Sequence, residues 1–142
     1  MTRFLGFPYP IEKTNRGYFY SQGEIDQIKS DMLILLLTNP GERVMNPDYG
    51  TPLKKYIFEP NDVVSRNQVR QEIIRSITKW EPRVSISQVE VLTKADENSL
   101  NTFDDRKEED SILFVRILFI DPQNIQEIQE LVLELPLAGA GA

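Results

Sequence analysis

The four residues Trp80-Glu81-Pro82-Arg83 restrict what this chain can fold into more than any other stretch. A run with helical spacing leads into them and a run with strand alternation leads out, so they form a corner where the backbone changes both direction and conformation. Pro82 has no amide hydrogen and disfavours the α region at Glu81, so the helix must end at Trp80 or Glu81. Glu81 and Arg83 are then presented on a stiff turn. Arg83 offers a planar fork of donors suited to a carboxylate or to carbonyls, and Glu81 suits a second arginine or free amides. Such a corner locks a joint, either inside the chain or against a partner.

The run before the corner predicts a helix from about Asn61 or Asp62 to Trp80. Its apolar positions Val69, Ile73, Ile77 and Trp80 fall on one side at 100° per residue, with Ile74 at the margin. Arg66 and Arg70 project into that same arc, whereas Arg75 and Lys79 lie opposite. Arginines beside an apolar seam either snorkel from the core or reach carboxylates on another subunit. After the corner, Val84 and Ile86 alternate in one phase and Val89 and Val91 in the other, which predicts a bulge near Ser87-Gln88. Ser111 to Asp121 is the strongest strand pattern in the chain. Leu113, Val115, Ile117 and Phe119 form one face, and Ile112, Phe114, Leu118 and Ile120 the other, interrupted only by Arg116. Both faces are expected to be covered. Between Gln123 and Leu137 helix and strand spacing compete; we expect a short turn and then a strand from about Leu131.

Towards the N-terminus, residues 1–20 alternate aromatic anchors with Gly6, Pro8, Pro10 and Gly17 and read as an arm without regular structure, packed on its own domain or wrapped around a neighbour. Ser21-Gln22-Gly23-Glu24 has the form of a capping box. Ile25, Ile28, Met32, Leu35 and Leu36 follow at helical spacing, and the helix becomes apolar all round from Leu33 to Leu37, so its second half should be enclosed by the fold or by a partner. Asn39-Pro40-Gly41 stops it. Gly41 to Gly50 reads as a short extended piece closed by a turn, in which Arg43 is either solvated or, beside Glu42 and ahead of a rigid turn, suited to a held ion pair. Thr51-Pro52 resembles an N-cap followed by proline at the first helical position, opening a short helix with Leu53, Tyr56 and Ile57 on one face and Glu59-Pro60 at its end.

Composition removes most catalytic chemistries. The 142 residues include no cysteine and no histidine, which excludes disulfides, thiolate nucleophiles, cysteine-ligated zinc, imidazole ligands and Ser-His triads. No calcium-loop spacing is present, so no cofactor or metal is expected. The net charge of −6 argues against duplex nucleic acid as a partner, because phosphate neutralisation needs clustered Lys and Arg. The acidity is concentrated between Ala95 and Asp110, where seven acids face only Arg106 and Lys107; this segment reads as a solvated loop, and Leu137 to Ala142 as a flexible tail. No apolar run approaches the roughly 20 residues of a membrane span, and the first ten residues lack the apolar core of a secretory signal, so synthesis and folding in the cytoplasm are expected. One domain over residues 1–142 follows: α+β, with two main helices packed on a small antiparallel sheet of about three strands. Such a sheet leaves two edges to which an extended segment of another protein can add.

Gly6-Phe7-Pro8, the helix from Ile25 to Leu37, Pro40-Gly41-Glu42-Arg43-Val44-Met45 with Pro47-Asp48-Tyr49-Gly50, Phe58-Glu59-Pro60 and Trp80-Glu81-Pro82-Arg83, in this order, resemble the small baseplate wedge family of contractile-tailed phages. That family has counterparts in type VI secretion and tailocin baseplates, and some members carry a lysozyme-like label. The likeness covers most of residues 1–94 and, more loosely, the later strands. It implies a structural protein of the virion, not an enzyme, that binds the core wedge proteins of the baseplate. It further implies that the chain templates the first ring of tail sheath protein, whose arms add strands to its sheet. The resemblance carries the family's Glu-Pro-Arg motif onto Glu81, Pro82 and Arg83 and its Gly-Glu-Arg motif onto Gly41, Glu42 and Arg43. Glu81, Pro82, Arg83, Glu42 and Arg43, with Arg66 and Arg70, make the expected partner-binding set. The acidic segment looks longer than the family's usual hairpin connection. Two other functions fit the residues. A muramidase needs only two carboxylates, for which Glu24, Glu42, Glu59 and Glu81 are the candidates; a free-standing adaptor would use the sheet edge alone.

Overall fold

A computed structural model describes residues 4–6, 8–11, 13, 15, 17–18, 20–22, 24–59, 62–93, 112–122 and 124–136. It contains β1 (Phe4–Gly6), β2 (Tyr20–Gln22), α1 (Glu24–Leu37), a 3-10 helix (Leu53–Phe58), α2 (Val63–Trp80), β3 (Ser85–Thr93), β4 (Ile112–Ile120) and β5 (Ile128–Pro136). The fold is α+β: two helices cover one face of an antiparallel meander in the order β3-β4-β5. The acidic segment and the tail lie outside the described residues. No described helix is long and apolar enough to cross a membrane.

The core is one layer of side chains between helices and sheet. Ile28, Met32, Leu35 and Leu36 of α1 and Val69, Ile73 and Ile77 of α2 meet Val89 and Val91 of β3, Leu113, Val115, Ile117 and Phe119 of β4, and Leu131, Leu133 and Leu135 of β5. Each set is the inward face that its own period specifies. Asp62 caps α2, its carboxylate accepting from the Ser65 amide at 2.7 Å, and the helix ends at Trp80, where Pro82 requires. The register of β3 against β4 slips between Ile86 and Gln88, so the extra residue is Ser87 and the change of phase in the sequence is a bulge.

Several expectations need correction. The expected arm over residues 1–20 is regular where it is described at its two ends: β1 and β2 pair antiparallel, Phe4 opposite Gln22 and Gly6 opposite Tyr20. Backbone pairing three residues long is too short for side-chain alternation to reveal. Between the two strands Pro8 is buried, and the Tyr9 amide donates to Ser30 Oγ of α1 at 3.2 Å. Because the second strand runs to Gln22, α1 begins at Glu24, and the capping box at Ser21 is displaced from the helix start. Thr51 caps nothing. It is fully buried, its hydroxyl donates to the Leu35 carbonyl at 3.3 Å, and the following turn is a 3-10 helix without a side-chain cap. The second face of β4 is only partly covered: among the described residues Phe114, Arg116, Leu118 and Ile120 are half-buried, and Arg116 bridges Glu90 (3.5 Å) and Glu130 (2.8 Å) across the three strands. Both main helices lie on the other face, which leaves an alternating strand one dry side. Finally, β5 starts at Ile128, three residues before Leu131, because the chain is drawn back just ahead of it, the Asp121 N–H donating to the Glu127 carbonyl and the Glu127 N–H to the Asn124 carbonyl.

Candidate protein-interaction site

The corner is held from inside the chain. The Glu81 amide donates to the Ile77 carbonyl at 2.8 Å, continuing the helical pattern one residue past Trp80, and the Val84 amide closes the turn on the Glu81 carbonyl at 3.2 Å. This geometry turns both charged side chains towards α1. Glu81 is buried, and Arg83 grips it with two parallel bonds, Nε to Oε1 at 2.6 Å and Nη2 to Oε2 at 2.7 Å. The same Nη2 reaches Asp31 Oδ2 at 3.0 Å, and Asp31 in turn accepts from Gln27 Nε2 at 2.9 Å. The Glu81 hydrogen bonds, and after them Asp31, hold the Arg83 guanidinium still more firmly protonated than an ordinary arginine, against the opposing effect of burial. One arginine thereby ties the end of α2 to the middle of α1.

The loop from Gly41 to Gly50 is built just as firmly. Its neck closes where the Gly41 amide donates to the Pro47 carbonyl at 2.6 Å. Glu42 does not pair with Arg43. It accepts from Lys54 Nζ at 2.7 Å and from the Asn39 amide at 3.0 Å, and these bonds lower its pKa. Arg43 instead stacks on Tyr49, its guanidinium carbon 3.7 Å from the ring centroid, and Tyr49 meets Trp80 edge-on with centroids 5.2 Å apart. The expected ion pair fails because Lys54 approaches Glu42 from the 3-10 helix while a flat aromatic face lies open to the guanidinium. Burial pushes the Tyr49 phenol up, and Arg43 opposes it. At the far end Gly50, at φ 126°, lies so close to the α1 terminus that a Cβ would run into the Thr38 carbonyl oxygen. Only glycine fits there.

The two motifs that the sequence presents separately are thus one surface. The chain Arg43–Tyr49–Trp80 joins the loop to the corner, and Lys79 Nζ lies 4.6 Å from the Trp80 ring centre. The loop tip carries Val44 and Met45, 94% and 96% exposed, which sequence reasoning did not single out; nor did it find Asp31 or Tyr49. Two consecutive large apolar residues at the tip of a braced loop are the only available signal. Pro82 is exposed beside this surface. Arg66 and Arg70 are not part of it: Arg70 lies ten residues before Trp80 on α2, about 15 Å along the helix axis, and faces β3.

No three metal-ligating acids converge among the described residues. Of the four carboxylates a muramidase would draw on, Glu42 is engaged by Lys54, Glu81 by Arg83, Glu24 heads α1, and Glu59 ends the 3-10 helix. Among the described residues, the loop and corner stand beside a three-stranded sheet whose β3 and β5 each have a neighbour on one side only.

Comparison with known proteins agrees. Residues 22–112 match the model of the family Baseplate wedge protein gp25, and the chain belongs to that family of structural baseplate wedge proteins of contractile tail systems. It is 31% identical over 87 residues to Baseplate protein W of Escherichia phage P2, spanning 61% of this chain and 70% of that protein. Its fold is similar to the crystal structure of a Geobacter sulfurreducens protein provisionally described as a tail lysozyme (TM-score 0.64, 21% identity, 84% of this chain and 96% of that one). It is also similar to a chain of the anti-feeding prophage baseplate (TM-score 0.59, 18% identity, 96% of this chain and 87% of that one).

Proposed function

We propose that the chain acts as a single 142-residue domain of the inner baseplate wedge. It binds the core wedge proteins through the joined loop and corner and offers a sheet edge on which arms of the tail sheath protein add as strands, setting the first sheath ring. The observation that carries this reading is the incompleteness of the sheet. Among the described residues, β3 and β5 each have a neighbour on one side only, and an unpaired strand edge is a template for another chain. The joined surface supplies the second contact: Val44 and Met45 as apolar anchors, Arg43 and Pro82 around them, and Glu81 and Arg83 fixing the orientation. Assembly takes place in the host cytoplasm and the product is carried in the virion tail. The role is structural rather than hydrolytic, consistent with the engagement of Glu42 and Glu81 by basic side chains.

Co-purification of the full chain with its own sheath and wedge core proteins tests the proposal. Wild type should retain both; Val44→Ser/Met45→Ser should lose the wedge proteins and keep sheath. Retention of neither by wild type would return the function to a free-standing adaptor, and clearing of peptidoglycan that a single Glu81→Gln or Glu42→Gln abolishes would establish the hydrolase instead.

A further inference from the structure

Between α2 and β3 runs a groove of about 560 Å³, lined on the helix by Arg70 and Ile74 and along the strand by residues from Ile86 to Leu92. Arg70 is the anomaly in it. Its Nε is buried without an acceptor among the described residues, while Nη1 makes only a 3.3 Å bond to Asn67 on its own helix. A buried donor left unanswered costs free energy in the isolated chain. The groove's own acid does not serve it, since Glu90 accepts from Gln88 at 2.8 Å and lies 3.5 Å from Arg116. The apolar part is also incomplete, with Ile74 partly exposed above an edge strand whose other side is paired to β4.

We propose that this groove receives an extended segment of a different protein carrying an Asp or Glu that bonds Arg70 Nε, with an apolar residue two positions away, on the same face of the strand, packing on Ile74. This rests on the strand-addition reading above and selects the edge and the side chain that it recognises. The bulge at Ser87 limits pairing to Gln88–Leu92. The occupant is not β5 of a second copy. The face of β5 that meets the helices carries Leu131, Leu133 and Leu135, which would leave Arg70 unanswered, and its acids Glu130 and Glu134 lie on the opposite face.

The test is selection of displayed random 12-residue peptides on the purified full chain, followed by amide hydrogen exchange with the enriched peptides and titration against wild type, Arg70→Met and Arg70→Lys. Thermal unfolding of each variant confirms that it is folded. The expected peptides share one acid flanked at two residues by an apolar side chain and protect the amides of Gln88–Leu92. Replacing their acid by the amide weakens binding about ten- to a hundredfold to wild type and under about threefold to Arg70→Met; Arg70→Lys, without the Nε donor, falls between. Peptides that protect β3 with no acidic preference, and bind Arg70→Met as tightly as wild type, would overturn the role of Arg70 and leave strand addition standing. Protection of β5 alone, or of neither edge, would overturn strand addition at β3 as well.

Discussion

Arg83→Ala provides the sharpest test of the corner as an internal lock. The substitution removes two short bonds to Glu81 and one to Asp31. The Asp31 contact is largely exposed and contributes about 0–1 kcal/mol. Loss of charged hydrogen bonds to a carboxylate that is only 6% exposed costs about 1.5–3 kcal/mol. Full burial would raise that to about 3–5 kcal/mol, but the Arg83 side chain is 34% exposed, so water takes up part of what is lost. The net cost is about 2–3 kcal/mol, less than the ordinary stability of a domain, and the chain stays folded. With an unfolding entropy of about 0.3 kcal/mol/K for this length, Tm falls by about 7–10 °C. In urea the midpoint drops by about 1–2 M at an unchanged slope of about 1.5–2 kcal/mol/M. Glu81→Gln alone also destabilises, and the double variant is less destabilised than the two single losses added together by at least about 1 kcal/mol, because they share one interaction. A change under about 0.5 kcal/mol for Arg83→Ala, with additive single effects, would refute the lock.

Three further outcomes follow from the geometry. Gly50→Ala should cost about 2–4 kcal/mol by equilibrium unfolding, since the new Cβ meets the Thr38 carbonyl and the backbone holds φ 126°. Glu42 should titrate below the ordinary glutamate range by NMR, because of Lys54 first and the Asn39 amide second, and Lys54→Met should move it back up. The folded-state value being depressed, this stabilisation is present above the unfolded pKa and is lost as pH falls through the folded one. Val44→Ser/Met45→Ser should leave the unfolding free energy in urea within about 0.5 kcal/mol of wild type, as both residues touch mostly solvent, while lowering recovery of the wedge core proteins.

How far the sequence reveals this fold depends on how local the cause is. The end of α2 follows from Pro82, its start from Asp62, and the Ser87 bulge from a change of phase, all within a few residues. The two-stranded pairing of β1 with β2 joins segments about fourteen residues apart through backbone bonds, and no side-chain period encodes it. Thr51 has the form of a cap, yet its hydroxyl is claimed by Leu35, a partner sixteen residues away. The same holds at the site. That Glu81 and Arg83 lock something is legible; that Asp31 shares the lock is not, because fifty-two residues separate it from Arg83. Arg43 is expected in an ion pair and is found on Tyr49 instead, since neighbouring opposite charge is visible in a sequence and the face of Tyr49 is not.

Trp80 is the chain's single tryptophan, and it sits where the loop meets the corner, with Tyr49 against one edge and the Lys79 ammonium near its ring. Indole emission responds to nearby charge and to hydration, so the protein carries a built-in optical reporter at the surface proposed for docking. Selective excitation of that one ring makes capture of the loop by a partner visible as a change in colour or intensity, with no dye attached and no residue altered.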